Sequence, residues 1–191
     1  MNVISLFYQR QWSLATSTNY SFLFPGANHR RIVISRSGAD KGRFSLEDFM
    51  EVDENGDAMP EYSHMKPSAE TFLHTMLYRD KNAAAVLHTH SVPGTLVSLR
   101  AEMEGEIRFR GYEMMKGFQG VSDHESEISI PVFPNSQDIA ALSVNIMPNL
   151  NVIPAFLISG HGLYAWGESI AMAQRHIETA EFLLACRLQE K

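Results

Sequence analysis

Between residues 83 and 90 the chain reads Ala-Ala-Ala-Val-Leu-His-Thr-His, five apolar residues closing on two histidines one residue apart. A short continuous apolar run of this kind predicts a buried strand. In an extended segment residues i and i+2 point to the same side, so His88 and His90 project together from the end of that strand. Open α/β sheets build their sites at strand ends. Two neutral imidazoles there suit zinc, iron, nickel or copper, with solvated or hydrogen-bonded histidines as the plain alternative.

The 191 residues suit one domain spanning 1–191, with room for a substantial core. A net charge of −6 gives no electrostatic reason to expect nucleic acid or an anionic membrane as partner. Backbone amides and hydroxyls can still hold a single phosphate. The one cysteine, Cys186, excludes an internal disulfide and reads as a small core residue of the last helix. The apolar runs fall short of the ~20 residues that span a bilayer. The start, MNVISLFYQRQW, lacks the basic opening and long apolar stretch of a signal peptide. A cytoplasmic enzyme is the expectation.

Residues Asn19–Phe24 and Arg31–Ile34 predict two strands around a Pro25-Gly26-Ala27-Asn28 turn. Ser45 with Asp48 resembles a capping pair opening a short helical turn. Asp53-Glu-Asn-Gly-Asp57 carries an Asn-Gly turn and lacks the twelve-residue spacing of a calcium loop. In Ser68–Tyr78, residues Ala69, Phe72, Leu73, Met76 and Leu77 form one helical stripe. After the Ala83–His90 strand, a helix is expected from Pro93, strands at Ile107–Arg110 and Glu127–Phe133, and a helix from Asn135–Asp138 to Met147. Pro154–Ser159 and Leu163–Trp166 predict two strands hinged at Gly160-His161-Gly162, and Ser169–Gln189 a final helix. Hairpin-like pairs mixed with crossovers indicate an α/β three-layer domain with a mainly antiparallel central sheet, in preference to a Rossmann fold.

His161 adds a third nitrogen to the pair. Its flanking glycines permit a sharp turn and close approach of the backbone to a bound group. Three protein ligands with an open position are the pattern of catalytic zinc, and with one cysteine a closed thiolate site is excluded.

Seven segments, in order and spread over nearly the whole chain, carry a family resemblance. They are Ala15–Ser21 (ATSTNYS), Ile34–Gly42 (ISRSGADKG), Leu46–Asp53 (LEDFMEVD), Lys66–Thr71 (KPSAET), His88–Ser91 (HTHS), Tyr112–Gly117 (YEMMKG) and His161–Gly167 (HGLYAWG). With them the chain resembles the class II aldolase/adducin-type family. It is most similar to the branch that dehydrates a methylthio-substituted ketose 1-phosphate in methionine salvage. The resemblance implies one zinc ion per subunit on His88, His90 and His161, and Glu113 as general acid/base. It places Thr16, Ser17, Asn19, Ser37, Gly38 and Ser68 around the substrate's phosphate. Glu70 matches a carboxylate that the family's aldolases use in catalysis. A phosphorylated ketose substrate and a homotetramer with sites near subunit interfaces are implied as well. An aldolase or epimerase acting on another sugar phosphate is the alternative; an adducin-like interaction module would need no metal ligands.

General acid/base work by Glu113 calls for a raised pKa, which the neighbours Met114 and Met115 are expected to supply. The chain departs from the family at Thr18, where aldolase members commonly carry glycine. Lys116 reads as a phosphate contact or an ion-pair partner. His64 and His74 read as surface or inter-subunit residues, and His29, His124 and His176 as solvated. Glu102, Glu104 and Glu106 form a solvated edge. Trp12 and Trp166 are expected in the core or an interface.

Overall fold

The computed structural model describes residues 2–24 and 31–190. Helices α1 (Asn2–Gln9), α2 (Thr71–Asp80), α3 (Val92–Arg100), α4 (Ile139–Ile146) and α5 (Ile170–Gln189) alternate unevenly with eight strands. The strands are β1 (Tyr20–Phe24), β2 (Arg31–Ser35), β3 (Phe49–Val52), β4 (Ala85–Thr89), β5 (Glu106–Phe109), β6 (Ile128–Phe133), β7 (Ala155–Ile158) and β8 (Gly162–Gly167). They form one sheet in the order β3-β2-β1-β4-β8-β7-β6-β5.

The expected mainly antiparallel sheet is a mixed one. Neighbours pair antiparallel except β6 and β7, which run parallel, Val132 opposite Leu157. Parallel neighbours need a crossover, and α4 supplies it between β6 and β7. The turn expected at 25–28, with His29, lies outside the described residues, but β1 and β2 pair as anticipated, Phe24 opposite Arg31.

Alternation along β4 divides the interior in two. Ala85 and Leu87 pack with α1, α3 and α5 residues such as Phe7, Val97 and Leu184. Val86 points the other way, with Leu73 and Leu77 of α2 and Leu142 of α4. The sheet is thus flanked by helices on both faces, which is why its central strands are apolar on both sides. Local signals set the helix starts. Ser91 caps α3 by accepting from the Gly94 amide at 2.9 Å, Asp138 caps α4 from Ala141 at 3.0 Å, and Ser169 caps α5 from Met172 at 3.1 Å. Ser45 and Asp48 form the anticipated capping box.

Strand alternation also fixes what lies behind the site. His88 falls on the α2 side with Val86, and Thr89 on the α5 side. There Thr89 donates to Glu181 Oε1 at 2.6 Å, while Glu181 Oε2 is buried with no partner among the described residues. Burial pushes the Glu181 carboxyl from 4.5 up to about 7. With the folded value above the unfolded one, the native state holds the extra proton. The contribution of Glu181 to stability is therefore full below about 4.5 and is lost as pH rises through about 7. Glu181→Gln keeps an acceptor for Thr89 and needs no proton. Thermal scans are expected to show it melting close to wild type at about pH 5 and a few degrees higher at about pH 8.

Candidate active site

Two strand ends and three loops converge on the α2 side of the sheet. His88 is fully buried, and its ring stacks on Tyr164 of the paired strand at 3.9 Å. Its Nδ1 lies 3.0 Å from the Leu163 carbonyl oxygen, which can only accept, so Nδ1 carries the proton and Nε2 presents its lone pair. His90 follows β4, and His161 sits in the turn before β8. The three imidazole centres lie 4.5, 4.7 and 5.1 Å apart, and one nitrogen from each falls within 4.8 Å of the others. Gly162 permits this approach: a Cβ there would lie 2.2 Å from the Thr89 carbonyl oxygen and 2.9 Å from the His88 ring.

Burial pulls the His88 imidazole well below its ordinary pKa, and burial with the neighbouring His161 brings His90 down to about 4. Both rings are neutral near pH 7, the state in which imidazole ligates a metal. Glu70, at the N-cap of α2, adds a carboxylate. Its Oε1 is 2.8 Å from His161 Nε2 and its Oε2 3.7 Å from His88 Nε2. Burial works to raise the Glu70 carboxyl, but His88, His161 and a hydrogen bond from Asn19 outweigh it and hold it well below the usual range. Three imidazole nitrogens beside one carboxylate, without thiolate, fit a divalent ion such as zinc.

The residues expected around a phosphate come together here. Thr16, Ser17 and Asn19 from one loop, Ser37 and Gly38 from a second, and Ser68 and Glu70 from a third line one cavity of about 260 Å³, with His90 at its end. Gly38 has φ +74°, a conformation that glycine adopts without penalty. Arg36 also lines the cavity and pairs with Asp48 at 2.6 Å.

Thr18 explains the departure from glycine. Its φ is +66°, unusual for a β-branched residue, and its hydroxyl lies buried, 2.6 Å from Ser13 Oγ and 3.1 Å from Tyr20 Oη. The left-handed backbone is what the loop requires; here buried hydrogen bonds hold it. Ser13 and Tyr20, which pair with each other as well, gave no signal in the sequence because their meeting depends on the loop's path.

Glu113 is not at the cluster. It lies on the 113–117 turn, 72% exposed, with Lys116 Nζ at 2.6 Å and His124 Nδ1 at 3.5 Å. The expected rise in its pKa is not found. The hydrogen bond from Lys116 lowers the carboxyl, because Met115 turns into the core and Met114 is exposed, so neither desolvates it. Lys116 is thus an ion-pair partner within the chain. Two further expectations are corrected. His74 is fully buried, not a surface residue, between Asn19 and Ser21. His176 is buried too, its Nδ1 2.7 Å from the Trp166 carbonyl and its Nε2 accepting from the Gln119 amide at 3.2 Å. Both stand on helix faces that pack on the sheet, which overrides their polarity.

Residues 1–188 match the family described as the class II aldolase and adducin N-terminal domain, and the chain belongs to that family. Among solved structures, YgbL of Escherichia coli superposes with a TM-score of 0.79 at 22% identity, covering 97% of this chain and 84% of its own. An L-fuculose 1-phosphate aldolase does so at 0.77 and 19%, covering 99% and 85%. At these identities the likeness is one of fold. Among sequences, a methylthioribulose-1-phosphate dehydratase of Hahella chejuensis is 48% identical over 186 residues, 95% of this chain and 87% of its own. One from a Picosynechococcus species is 42% identical over 191 residues, 98% of this chain and 89% of its own.

Thr18→Val keeps the branched shape and loses both hydrogen bonds, an expected cost of about 1–3 kcal/mol in urea denaturation. Thr18→Gly loses the same bonds but releases the backbone strain, and is expected to cost less.

Proposed function

We propose that this protein is a hydro-lyase that dehydrates 5-methylthioribulose 1-phosphate to 5-methylthio-2,3-diketopentyl 1-phosphate in methionine salvage. The observation that carries this reading is 48% identity, over 95% of the chain, to a protein named for that dehydratase activity. The histidine cluster and its hydroxyl-lined cavity support it. We read the chain as a single domain, 1–191, working in the cytoplasm as a homotetramer. No described helix is long and apolar enough to cross a membrane.

In this reading Thr16, Ser17, Asn19, Ser37, Gly38 and Ser68 hold the substrate's phosphate through hydroxyls and amides. His88, His90 and His161 hold zinc, which when bound supplies a Lewis acid to polarise the C2 carbonyl. Glu113 takes the C3 proton and returns it to the C4 hydroxyl, which leaves as water; the resulting enol tautomerises to the 2,3-diketone. Because Glu113 is exposed and stands away from its own chain's cavity, it serves the site of a neighbouring subunit. Lys116, bonded to it, positions and charges that carboxylate.

A second reading, an aldolase or epimerase on another sugar phosphate, draws on Glu70, whose carboxylate stands 2.8 Å from His161. The product decides: dehydration gives the diketone, and aldol cleavage gives two smaller carbonyl compounds. With methylthioribulose 1-phosphate as substrate, wild type is expected to form the diketone and Glu113→Gln to lose at least about 100-fold in kcat. A fully active Glu113→Gln removes its acid/base role, and cleavage products remove the dehydratase. The joint His88→Ala and His90→Ala variant is expected to drop from about one zinc per subunit to nearly none, measured by metal analysis. Unchanged zinc removes the metal site.

A further inference from the structure

A buried chain of polar side chains runs away from the histidine cluster along α2. It begins at Glu70, continues through Asn19 and His74 to Ser21, and ends at Tyr78. His74 is wholly enclosed, with no water-facing surface and no part in the cavity lining. We propose that His74 is a positioning residue: as the Nε2–H tautomer it fixes the amide orientation of Asn19, which in turn holds the Glu70 carboxylate against the three histidines.

The polarity of the chain follows from its first member. A carboxylate oxygen facing an amide accepts, and Glu70 Oε2 lies in hydrogen-bond contact with Asn19. The Asn19 group facing Glu70 Oε2 and Ser68 Oγ, the latter 3.2 Å away, is therefore the amide nitrogen. That leaves the amide oxygen turned toward His74 Nε2, and an amide oxygen only accepts, so Nε2 must carry the proton. A neutral ring then has its lone pair on Nδ1, 2.7 Å from Ser21 Oγ, and Ser21 must donate to it. Ser21 Oγ in turn accepts from the Tyr78 hydroxyl at 2.5 Å. Each assignment forces the next. Burial keeps His74 neutral, its pKa pulled down to about 4, so the ring retains one donor and one acceptor near pH 7.

The alternative orientation of Asn19 sets its carbonyl against a carboxylate, two acceptors in contact. The protein excludes it by giving the amide oxygen a donor that cannot rotate away, because Ser21 pins the other side of the ring. The Tyr164 ring, edge-on to His74 at 5.9 Å and stacked on His88, closes the remaining side. Thus α2 and β1 together set the carboxylate that faces the metal ligands. Outer partners of this kind cost about 10–100-fold in activity or metal affinity when removed.

This inference rests on the dehydratase reading for its kinetic arm only. In protein labelled with ¹⁵N-histidine, long-range ¹H–¹⁵N correlation spectra without substrate are expected to show His74 protonated at Nε2 alone. Protonation at Nδ1 overturns the proposal whatever the enzyme acts on. In the kinetic arm, His74→Phe keeps the shape and removes both hydrogen bonds, while His74→Gln restores a donor near the Nε2 position. The expectation is a fall of about 10–100-fold in kcat/KM for His74→Phe and substantial recovery in His74→Gln. Equal activity of the two variants, or wild-type activity in His74→Phe, overturns it. Should His74→Phe fail to fold, the tautomer decides alone. A wild type that forms no diketone sinks the dehydratase reading and leaves the tautomer result standing.

Discussion

The pairing of β4 with β8 is the constraint on which the candidate site depends. Thr89 lies opposite Leu163, so the end of β4 and the turn entering β8 arrive at one place. That register brings His161 to His88 and His90 and gives His88 Nδ1 the Leu163 carbonyl. It also leaves no room for a side chain at residue 162, where a Cβ would meet the Thr89 carbonyl oxygen at 2.2 Å. A one-residue slip would turn every side chain of β4 to the other face, sending His88 and His90 toward α5 and Thr89 toward α2.

Around that pair the two faces of the sheet do different work. On the α2 side, polar groups accumulate: Asn19, Ser21, Glu70, His74 and Tyr78 are linked by hydrogen bonds, so their burial leaves few groups unsatisfied. On the α5 side the packing is mainly apolar, with Thr89, His176, Thr179 and the carboxyl of Glu181 buried within it. A protonated acid can sit there, where a charged one is penalised by desolvation. The strand that carries His88 and His90 therefore has one carboxyl behind it whose pKa is raised, Glu181, and one in front whose pKa is lowered, Glu70.

The loop from residue 15 to residue 19 shows how a local rule can be broken by tertiary support. A left-handed threonine costs free energy by itself. At Thr18 the hydroxyl finds Ser13 and Tyr20 beneath the loop, which offsets part of that cost and holds the backbone beside the cavity. The folds of solved relatives at about 20% identity carry the architecture alone.

Much of the architecture was legible in the chain itself. The apolar run at 83–87, Pro93 in the first turn of α3, Ser169 before α5 and the glycines around His161 are local signals, and they marked a strand, helix starts and the sharp turn where these occur. The pair His88 and His90 was readable because strand periodicity alone puts i and i+2 on one side. What sequence spacing cannot encode is contact between distant segments. The burial of His74 and His176, the raised pKa of the Glu181 carboxyl, the Ser13–Thr18–Tyr20 group and the parallel β6–β7 pairing all arise only when helices close on the sheet. The same holds for Glu113: Met114 and Met115 beside it suggested an apolar setting, yet the turn points one methionine inward and leaves the carboxylate exposed beside Lys116. Neighbours in sequence set the local conformation; neighbours in space set the charge, and only folding decides which they are.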